Sequence, residues 1–199
     1  MKKKFAAHEL IERLNQKIQR QLDLRDTVVL GLVLKGLPVA YSLAKMNRII
    51  DNFVPLVAQR HLHMQHQVES YFPSLDWIAY FQKLANTAEG ILIVDDVINT
   101  GFTRQKAEGI VHSLAQTLES TVPLRFAALV LNRKRIANPS FVHPSDTFAL
   151  KVNAFDVECD WGLMTVPLWD LPVAEAIQRV EEYYRQFWLN EKRWITIDY

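Results

Sequence analysis

The sequence predicts an α/β protein with a doubly wound, mostly parallel sheet, flanking helices and a small hood-like appendage. Three apolar runs, 28–34, 91–94 and 125–131, are too short for helices and have the composition of buried strands. Helical patterns separate these runs, and strands that alternate with helices favour parallel connections. A length of 199 residues fits one domain over residues 1–199, with its core at about 24–165.

Helices are predicted where apolar residues recur at helical spacing between these strands. In the first of them, Leu10 and Leu14 lie on one face. Ser74 is a typical N-terminal capping residue, and Pro38 and Pro172 suit the first turn of a helix. The predicted helices cover about 7–23, 38–45, 75–88, 102–120 and 172–190, and a further short strand is predicted at 146–150.

The composition argues against several classes of protein. Lysine and arginine total 23 against 22 acidic residues, so the net charge of +1 provides no general attraction to nucleic acid or to a membrane. The single cysteine, Cys159, excludes a disulfide within the chain, and no apolar run approaches the roughly 18 residues of a membrane span. The segment Met1–Lys4 is not followed by the apolar stretch of a secretion signal and is predicted to be a solvated tail. These features predict a cytoplasmic protein.

Two acids at the end of a strand are the first functional signal. Residues 91–103 read ILIVDDVINTGFT, and Asp95 and Asp96 come directly after the apolar run 91–94. Adjacent carboxylates can accept hydrogen bonds from the two neighbouring hydroxyls of a ribose. The pair therefore predicts a sugar-binding position at the carboxyl end of a buried strand.

A small polar turn and the start of a helix follow the acids. The N–H groups and the positive dipole end at a helix N-terminus suit a phosphate group. Gly101 lacks the Cβ that would block close approach, and Thr100 and Thr103 add hydroxyl donors. No Gly-Lys-Ser/Thr sequence follows Gly101, so a P-loop does not explain the turn. An ordinary strand–turn–helix connection would not require paired acids, and a sugar phosphate is the better explanation.

The whole stretch resembles the signature with which type I phosphoribosyltransferases bind phosphoribosyl pyrophosphate (PRPP): an apolar run, two acids, two apolar residues, one variable residue and Thr-Gly-x-Thr. The resemblance implies an enzyme that transfers a 5-phosphoribosyl group from PRPP to a nucleobase nitrogen and releases diphosphate, for example in purine salvage. It implies that PRPP is bound by Asp95, Asp96, Asn99, Thr100, Gly101, Phe102 and Thr103. It also implies Mg²⁺ as cofactor, which Asp95 and Asp96 would reach mainly through water and the ribose hydroxyls.

Residues 29–40, VLGLVLKGLPVA, resemble the family's pyrophosphate loop, in which a strand ends in Lys-Gly or Arg-Gly. The resemblance implies that Lys35 and Gly36 bind PRPP and that Lys35, together with backbone N–H groups, holds the leaving diphosphate. In several family members the peptide bond before this lysine is cis, which implies the same for Leu34–Lys35. The alternative is a turn before a helix with a solvated lysine.

Residues 146–163 resemble the base-binding region of the family's 6-oxopurine branch, where an aromatic ring stacks on the purine. The resemblance implies base-binding roles for Phe155, Val157 and Trp161. Packing in the protein core is the alternative for each of them.

Two positions depart from the purine pattern. The family often has an aspartate before Thr-Gly, and this chain has Asn99, whose amide cannot accept a proton. General-base assistance of about 10²–10⁴-fold would then be absent or come from elsewhere. After the strand 125–131, where purine enzymes commonly have a lysine, the simplest register places Asn132, with Arg133 and Lys134 as alternatives. Both departures weaken the assignment of hypoxanthine or guanine as acceptor, and neither affects PRPP binding.

The resemblance implies catalytic roles for Lys35, Asp95, Asp96 and Asn99 in an enzyme whose partners are PRPP and a nucleobase-like acceptor. We also expect a homodimer. Two alternatives stay open. One is a PRPP-sensing regulator that has lost catalysis, although the sequence has no DNA-binding helix-turn-helix pattern. The other is an enzyme for a pyrimidine or an unusual acceptor whose nitrogen is already ionised.

The resemblance implies that the segment containing His61, His63 and His66 is the family's mobile loop. His61, His63 and His66 alternate in a way that suggests zinc, but no cysteine or acid has fitting spacing, so solvated loop residues are the better interpretation. Arg60 would reach the diphosphate if such a loop closes over the site.

Overall fold

The apolar runs form a parallel sheet in the computed structural model, which describes residues 1–33, 35–60, 68–117, 122–136, 147–160, 171–189 and 193–199. The strands are, in chain order, β1 (Lys2–Ala6), β2 (Thr27–Val33), β3 (Phe53–Arg60), β4 (Val68–Tyr71), β5 (Gly90–Ile98), β6 (Leu124–Asn132), β7 (Thr147–Val152), β8 (Asp156–Asp160) and β9 (Trp194–Asp198). The helices are α1 (Ala7–Gln19), α2 (Gly36–Met46), α3 (Leu75–Ala85), α4 (Phe102–Thr117) and α5 (Val173–Leu189).

The central sheet has the strand order β4-β3-β2-β5-β6-β7. Strands β3, β2, β5, β6 and β7 run parallel, and β4 pairs antiparallel with β3 at one edge. The chain moves from β2 to β3 in one direction and from β5 to β6 in the other, so right-handed crossovers place α2 and α4 on opposite faces. The predicted doubly wound, mostly parallel sheet with flanking helices is confirmed.

Burial explains why these runs form the centre of the molecule. Every residue of β2 is buried, as is β5 from Gly90 to Val94. Helix α2 is buried over most of its length and packs against β2 and β5. Helix α1 contacts β6 and β7, and its buried residues include Leu10 and Leu14, which the helical spacing predicted.

A second sheet of three strands forms the appendage to this core. Its strand order is β1-β9-β8, and both pairings are antiparallel. The prediction of a solvated tail at the N-terminus is wrong for the backbone, because Lys2–Lys4 pair with β9, although their side chains are exposed. Ile195 and Ile197 of β9 are completely buried and alternate with more exposed neighbours. This alternation of period two is the signal that could have predicted β9.

Two smaller predictions from the sequence differ from the structure. Ser74 precedes α3, but its side chain makes no capping hydrogen bond. The segment after β7, for which the sequence predicted neither a strand nor a helix, contains β8. Among the helices of the described ranges, none is long and apolar enough to cross a membrane.

The strand order places a site at the carboxyl edge of the sheet. The direction of winding reverses between β2 and β5, and ligands of open α/β sheets bind beyond the carboxyl ends of strands at such a point. Strand β2 leads to Lys35 and Gly36, and β5 carries Asp95 and Asp96 near its end. The fold therefore brings the two strongest signals of the sequence to the same place.

Candidate active site

The acid pair lies within β5, which continues to Ile98 instead of ending at Val94 as the apolar run predicted. Asp96 is buried, with 6% of its surface exposed, and Asp95 is half-buried. Asp95 Oδ1 accepts the backbone N–H of Asp96 at 2.8 Å, and Asp96 Oδ1 accepts that of Val97 at 2.7 Å. These local hydrogen bonds orient both carboxylates, and a carboxylate can accept further hydrogen bonds beside them.

The first turn of α2 contacts the strand that carries the acids. A Cβ built on Gly36 would lie 2.5 Å from the carbonyl oxygen of Val94 and 2.7 Å from Cα of Asp95. Only glycine permits this approach, because both atoms belong to the backbone of the central sheet. Lys35 directly precedes α2, and its side chain is exposed. Because the neighbouring Gly36 lies so close to Asp95, the loop that was predicted to bind diphosphate lies beside the acid pair. Leu34, and with it the predicted cis peptide bond, lies outside the described residues.

Cys159 of β8 also belongs to this group of residues, and sequence reasoning missed it. Its thiol donates a hydrogen bond to the carboxylate of Asp96 and lies within electrostatic range of Lys35 and Asp95. Two effects raise the pKa of the Cys159 thiol far above its ordinary value: burial is the larger, and the negative charge of Asp96 is the next. The thiol therefore stays protonated at neutral pH. The second sheet therefore contacts the acid pair through a neutral donor. A lone cysteine has no sequence motif that would have marked this role.

The turn after β5 has a backbone that accommodates close approach of a ligand. Gly101 has a φ of 86°, in the left-handed region that side chains disfavour, and α4 begins at the next residue, Phe102. The carbonyl of Gly101 accepts the N–H of Gln105 at 3.0 Å. Thr100, Phe102 and Thr103 are half-buried. The residues predicted to bind phosphate thus lie together at the N-terminus of α4.

Gly101→Ala is expected to weaken phosphate binding more than it weakens the fold. Alanine at a φ of 86° is strained by about 1–2 kcal/mol. A turn that shifts to relieve this strain moves its N–H groups away from the phosphate. The affinity for ribose 5-phosphate, measured by titration calorimetry, should fall about tenfold, while the melting temperature drops by only a few degrees. Equal affinities of the wild-type protein and Gly101→Ala for ribose 5-phosphate would exclude this turn as the phosphate-binding site.

A buried arginine anchors α4 directly after the motif. Arg104 Nε donates to Glu108 at 2.6 Å, and the guanidinium lies 5.3 Å from the centre of the Phe126 ring. Its Nη1 donates to the hydroxyl of Thr147 on β7. These contacts connect the start of the helix to β6 and β7. Sequence reasoning missed this anchor, because an arginine on a helix is usually solvated.

The two departures from the purine pattern are neighbours in the fold. Ile98 of β5 pairs with Leu131 of β6, so Asn99, which follows β5, and Asn132, the last residue of β6, lie at adjoining strand ends. Oδ1 of Asn99 and Nδ2 of Asn132 are buried, and neither has a hydrogen-bond partner within the described parts of the chain. Buried polar atoms in folded proteins nearly always have a partner, so both atoms require an explanation.

The three predicted base-binding residues differ in their placement. Phe155 lies between β7 and β8 with 61% of its surface exposed, and Nζ of Lys134 lies 3.2 Å from the centre of its ring. Val157 is buried in the core and pairs with Ile197 of β9. Trp161 lies outside the described residues.

The segment predicted to close over the site is described only in part. Arg60 is the last residue of β3, while His61, His63 and His66 lie outside the described residues. The roles suggested for these four residues stay predictions.

Comparison with known proteins identifies the fold. It is similar to that of a hypoxanthine-guanine phosphoribosyltransferase from Bacillus anthracis solved with a HEPES molecule in its active site, with a TM-score of 0.54 and 14% identity over 83% of this chain and 95% of that one. A hypoxanthine phosphoribosyltransferase from Staphylococcus aureus gives a TM-score of 0.52 and 14% identity over 78% of this chain and 80% of that one. No protein-family model and no curated protein matches the sequence. The chain thus has the fold of the type I phosphoribosyltransferases.

Proposed function

We propose that this chain is a phosphoribosyltransferase, which transfers the 5-phosphoribosyl group of PRPP to a nitrogen of a nucleobase-like acceptor and releases diphosphate. The observation that carries the proposal is the close approach of Gly36 to Val94 and Asp95, which brings a lysine loop and an acid pair together at the switch point. The similarity of fold supports it, but one fold can carry many activities, so the site is the main argument. A cytoplasmic location and a homodimer stay predictions from the sequence.

Each part of PRPP has a counterpart at this edge of the sheet. The 5′-phosphate would accept hydrogen bonds from the N–H groups of the turn 99–103 and benefit from the dipole of α4. The ribose hydroxyls would donate to Asp95 and Asp96. The diphosphate would lie toward Lys35 and the N-terminus of α2, because Gly36 brings that helix start beside Asp95.

The proposed reaction breaks the bond between C1 of the ribose and a diphosphate oxygen, and it forms a bond between C1 and the acceptor nitrogen. Positive charge develops on the sugar and negative charge on the leaving diphosphate. Lys35 would stabilise that negative charge, and the oriented carboxylates would hold the ribose so that C1 faces the nitrogen. Any proton on the attacking nitrogen must leave to water or to a base.

Magnesium would enter with PRPP as part of the substrate. Within the described ranges, no group of three or more His, Cys, Asp and Glu could hold a metal ion without other ligands. Asp95 and Asp96 would hold the ion, largely through water, because Mg²⁺ keeps several waters and needs only one or two carboxylates. When bound, the ion neutralises part of the diphosphate charge.

Asn99 limits the kind of acceptor. Its amide cannot take up a proton, so a neutral purine nitrogen would have to lose its proton to another group. An acceptor whose nitrogen is already ionised needs no such base, which favours a pyrimidine or an unusual heterocycle. The same residue also favours a second function, a PRPP-sensing regulator that binds PRPP without catalysis.

Diphosphate release from PRPP and Mg²⁺, assayed with each common nucleobase, distinguishes these functions. We expect the wild-type protein to turn over at least one base. If a missing base limits 6-oxopurines, Asn99→Asp should raise their turnover by about tenfold or more. If the acceptor is of another class, the same variant should show no purine turnover, and its added charge should weaken PRPP binding.

The remaining outcomes are equally informative. Efficient wild-type turnover of hypoxanthine or guanine would show that Asn99 does not restrict the acceptor. Tight PRPP binding without turnover of any base would favour the regulator. A thermal-shift assay in which PRPP and Mg²⁺ leave the melting temperature unchanged would overturn both functions, because a ligand that binds only the folded state must raise it.

A further inference from the structure

Arg104 is a charged residue in the interior of the protein, directly after Thr103 of the phosphate turn. Only 5% of its surface is exposed. Arginine is almost never buried to this extent unless its guanidinium is paired, because removing the charge from water is costly. The proposed reaction gives this guanidinium no contact with PRPP or with the acceptor, so its burial requires another explanation.

The guanidinium of Arg104 contacts a helix and two strands. Its Nε donates to Oε1 of Glu108 at 2.6 Å on the next turn of α4, and its Nη1 donates to the hydroxyl of Thr147 on β7. Its central carbon lies 5.3 Å from the centre of the Phe126 ring on β6. Phe126 and Thr147 are both buried and pair with each other across the two strands. The side chain therefore connects the first turn of α4 to the sheet and not to a loop.

The backbone of the same residue lies at the proposed phosphate position. Helix α4 begins at Phe102, and the bond from the N–H of Gln105 to the carbonyl of Gly101 closes its first turn. The N–H of Arg104 precedes that bond, so it belongs to the group of N–H groups that point out of a helix at its N-terminus. Such groups are the donors that bind phosphate at helix starts.

The turn before α4 does not by itself fix the position of these donors. Gly101 has a φ of 86°, and glycine has more accessible backbone conformations than any other residue. A site whose donors must be ordered on binding loses affinity, whereas donors that are held in place beforehand lose none. A constraint that reaches the helix start from the sheet would therefore increase the affinity for phosphate.

We propose that Arg104 is a positioning residue for phosphate recognition: its guanidinium holds the start of α4 against β6 and β7, which preorganises the N–H groups of the turn for a phosphate monoester. The proposal rests on the proposed function. The guanidinium acts through the backbone and does not contact the phosphate. Because Glu108 balances its charge, the effect is one of geometry more than of electrostatic attraction.

Two substitutions remove the connection to β7 from opposite ends. Arg104→Lys keeps the positive charge, but a single ammonium cannot replace Nε and Nη1 at the same time. Thr147→Val keeps the shape of the side chain, removes the hydroxyl that accepts from Nη1, and leaves the ion pair with Glu108 in place. Thr147 is buried on β7, so an effect of this variant on phosphate binding would have to pass through Arg104.

Titration calorimetry of each variant with two ligands tests the proposal. Ribose 5-phosphate reports on the turn and the acid pair, and inorganic diphosphate with Mg²⁺ reports on Lys35 and the start of α2. Each variant should bind ribose 5-phosphate about tenfold more weakly, while its affinity for diphosphate stays within about twofold of wild type. A general loss of structure would instead weaken both ligands.

The double variant tests whether Thr147 acts through Arg104. If it does, the variant with both substitutions should bind ribose 5-phosphate no more weakly than Arg104→Lys alone, whereas independent effects would multiply. Arg104→Lys carries the greater risk of misfolding, and if it does not fold, Thr147→Val measured alone decides.

Arg125→Lys is the matched control. The guanidinium of Arg125 also lies over a phenylalanine ring, 6.0 Å from the centre of Phe148, and its Nη1 donates to the carbonyl of Gln21 at 3.1 Å. Arg125 lies near the start of β6, at the amino edge of the sheet. Its replacement should leave the affinities for ribose 5-phosphate and for diphosphate unchanged, although the melting temperature falls.

The outcomes separate the inference from the proposed function. A wild-type protein that binds neither ribose 5-phosphate nor PRPP would overturn both together. If the wild-type protein binds ribose 5-phosphate, three results would overturn the inference alone: an unchanged affinity in folded Thr147→Val, an equal loss of affinity for both ligands, or losses that multiply in the double variant.

Discussion

Replacing Asp95 and Asp96 together by asparagine is expected to weaken PRPP binding by about 100-fold or more while the chain stays folded. Hydrogen bonds to a charged group contribute about 1.5–3 kcal/mol each, and the double variant converts two such acceptors into neutral amides. The fold should persist because asparagine keeps the Oδ1 that accepts the backbone N–H bonds of 2.8 and 2.7 Å at these positions. Titration calorimetry with PRPP and Mg²⁺ measures the affinity, and circular dichroism checks the fold.

Asp26→Asn is the control for this experiment. Asp26 directly precedes β2 and is exposed at the opposite, amino edge of the sheet. The Asp26→Asn variant should bind PRPP with the affinity of the wild-type protein, because the negative charge that it loses lies far from the proposed site. Unchanged PRPP affinity in the folded double variant would remove the acid pair from the PRPP site.

Gly36→Ala is expected to destabilise the protein by about 3 kcal/mol or more and to abolish PRPP binding. The added Cβ would lie 2.5 Å from the carbonyl oxygen of Val94 and 2.7 Å from Cα of Asp95. Both are backbone atoms of a sheet strand that is held by neighbours on either side, so neither can move without disturbing the sheet. Either α2 moves away, which separates Lys35 from the acids, or the strand is distorted.

Gly109→Ala is the matched control, because we expect the same substitution to stabilise the protein at this position instead of destabilising it. Gly109 lies within α4, and a Cβ there would meet nothing within 4 Å. Alanine at this position should stabilise the helix by about 0.5–1 kcal/mol, because glycine loses more backbone entropy on folding. Urea unfolding of both variants measures the two free energies, and calorimetry measures PRPP affinity. A Gly36→Ala variant as stable and as active in binding as Gly109→Ala would show that the close approach of α2 to β5 is not required.

The centre of the sheet could be predicted because its signals are local. Strands buried on both faces of a parallel sheet are continuously apolar, which is how β2, β5 and β6 appear in the sequence. The acids and the Thr-Gly turn were recognisable for the same reason. They lie in one strand–turn–helix unit, so their spacing along the chain already sets their relative positions.

The second sheet could not be predicted by the same reasoning. Strand β1 begins with three exposed lysines, and its partner β9 comes from the other end of the chain. Such a strand is stabilised by its pairing and not by an apolar pattern of its own. Cys159 was missed for a related reason, since its position beside Asp96 depends on the placement of β8 in this sheet.

The sequence alone determines the order of strands and helices, the acid pair and the glycine turn. Each of these features depends on residues that are close together in the chain. Only the tertiary structure decides which of these elements and residues lie next to one another. The register of Ile98 with Leu131 makes Asn99 and Asn132 neighbours, and the packing of α2 on β5 brings Gly36 to Asp95. These relations depend on the pairing of distant strands, where a slip of one residue would turn every side chain to the other face.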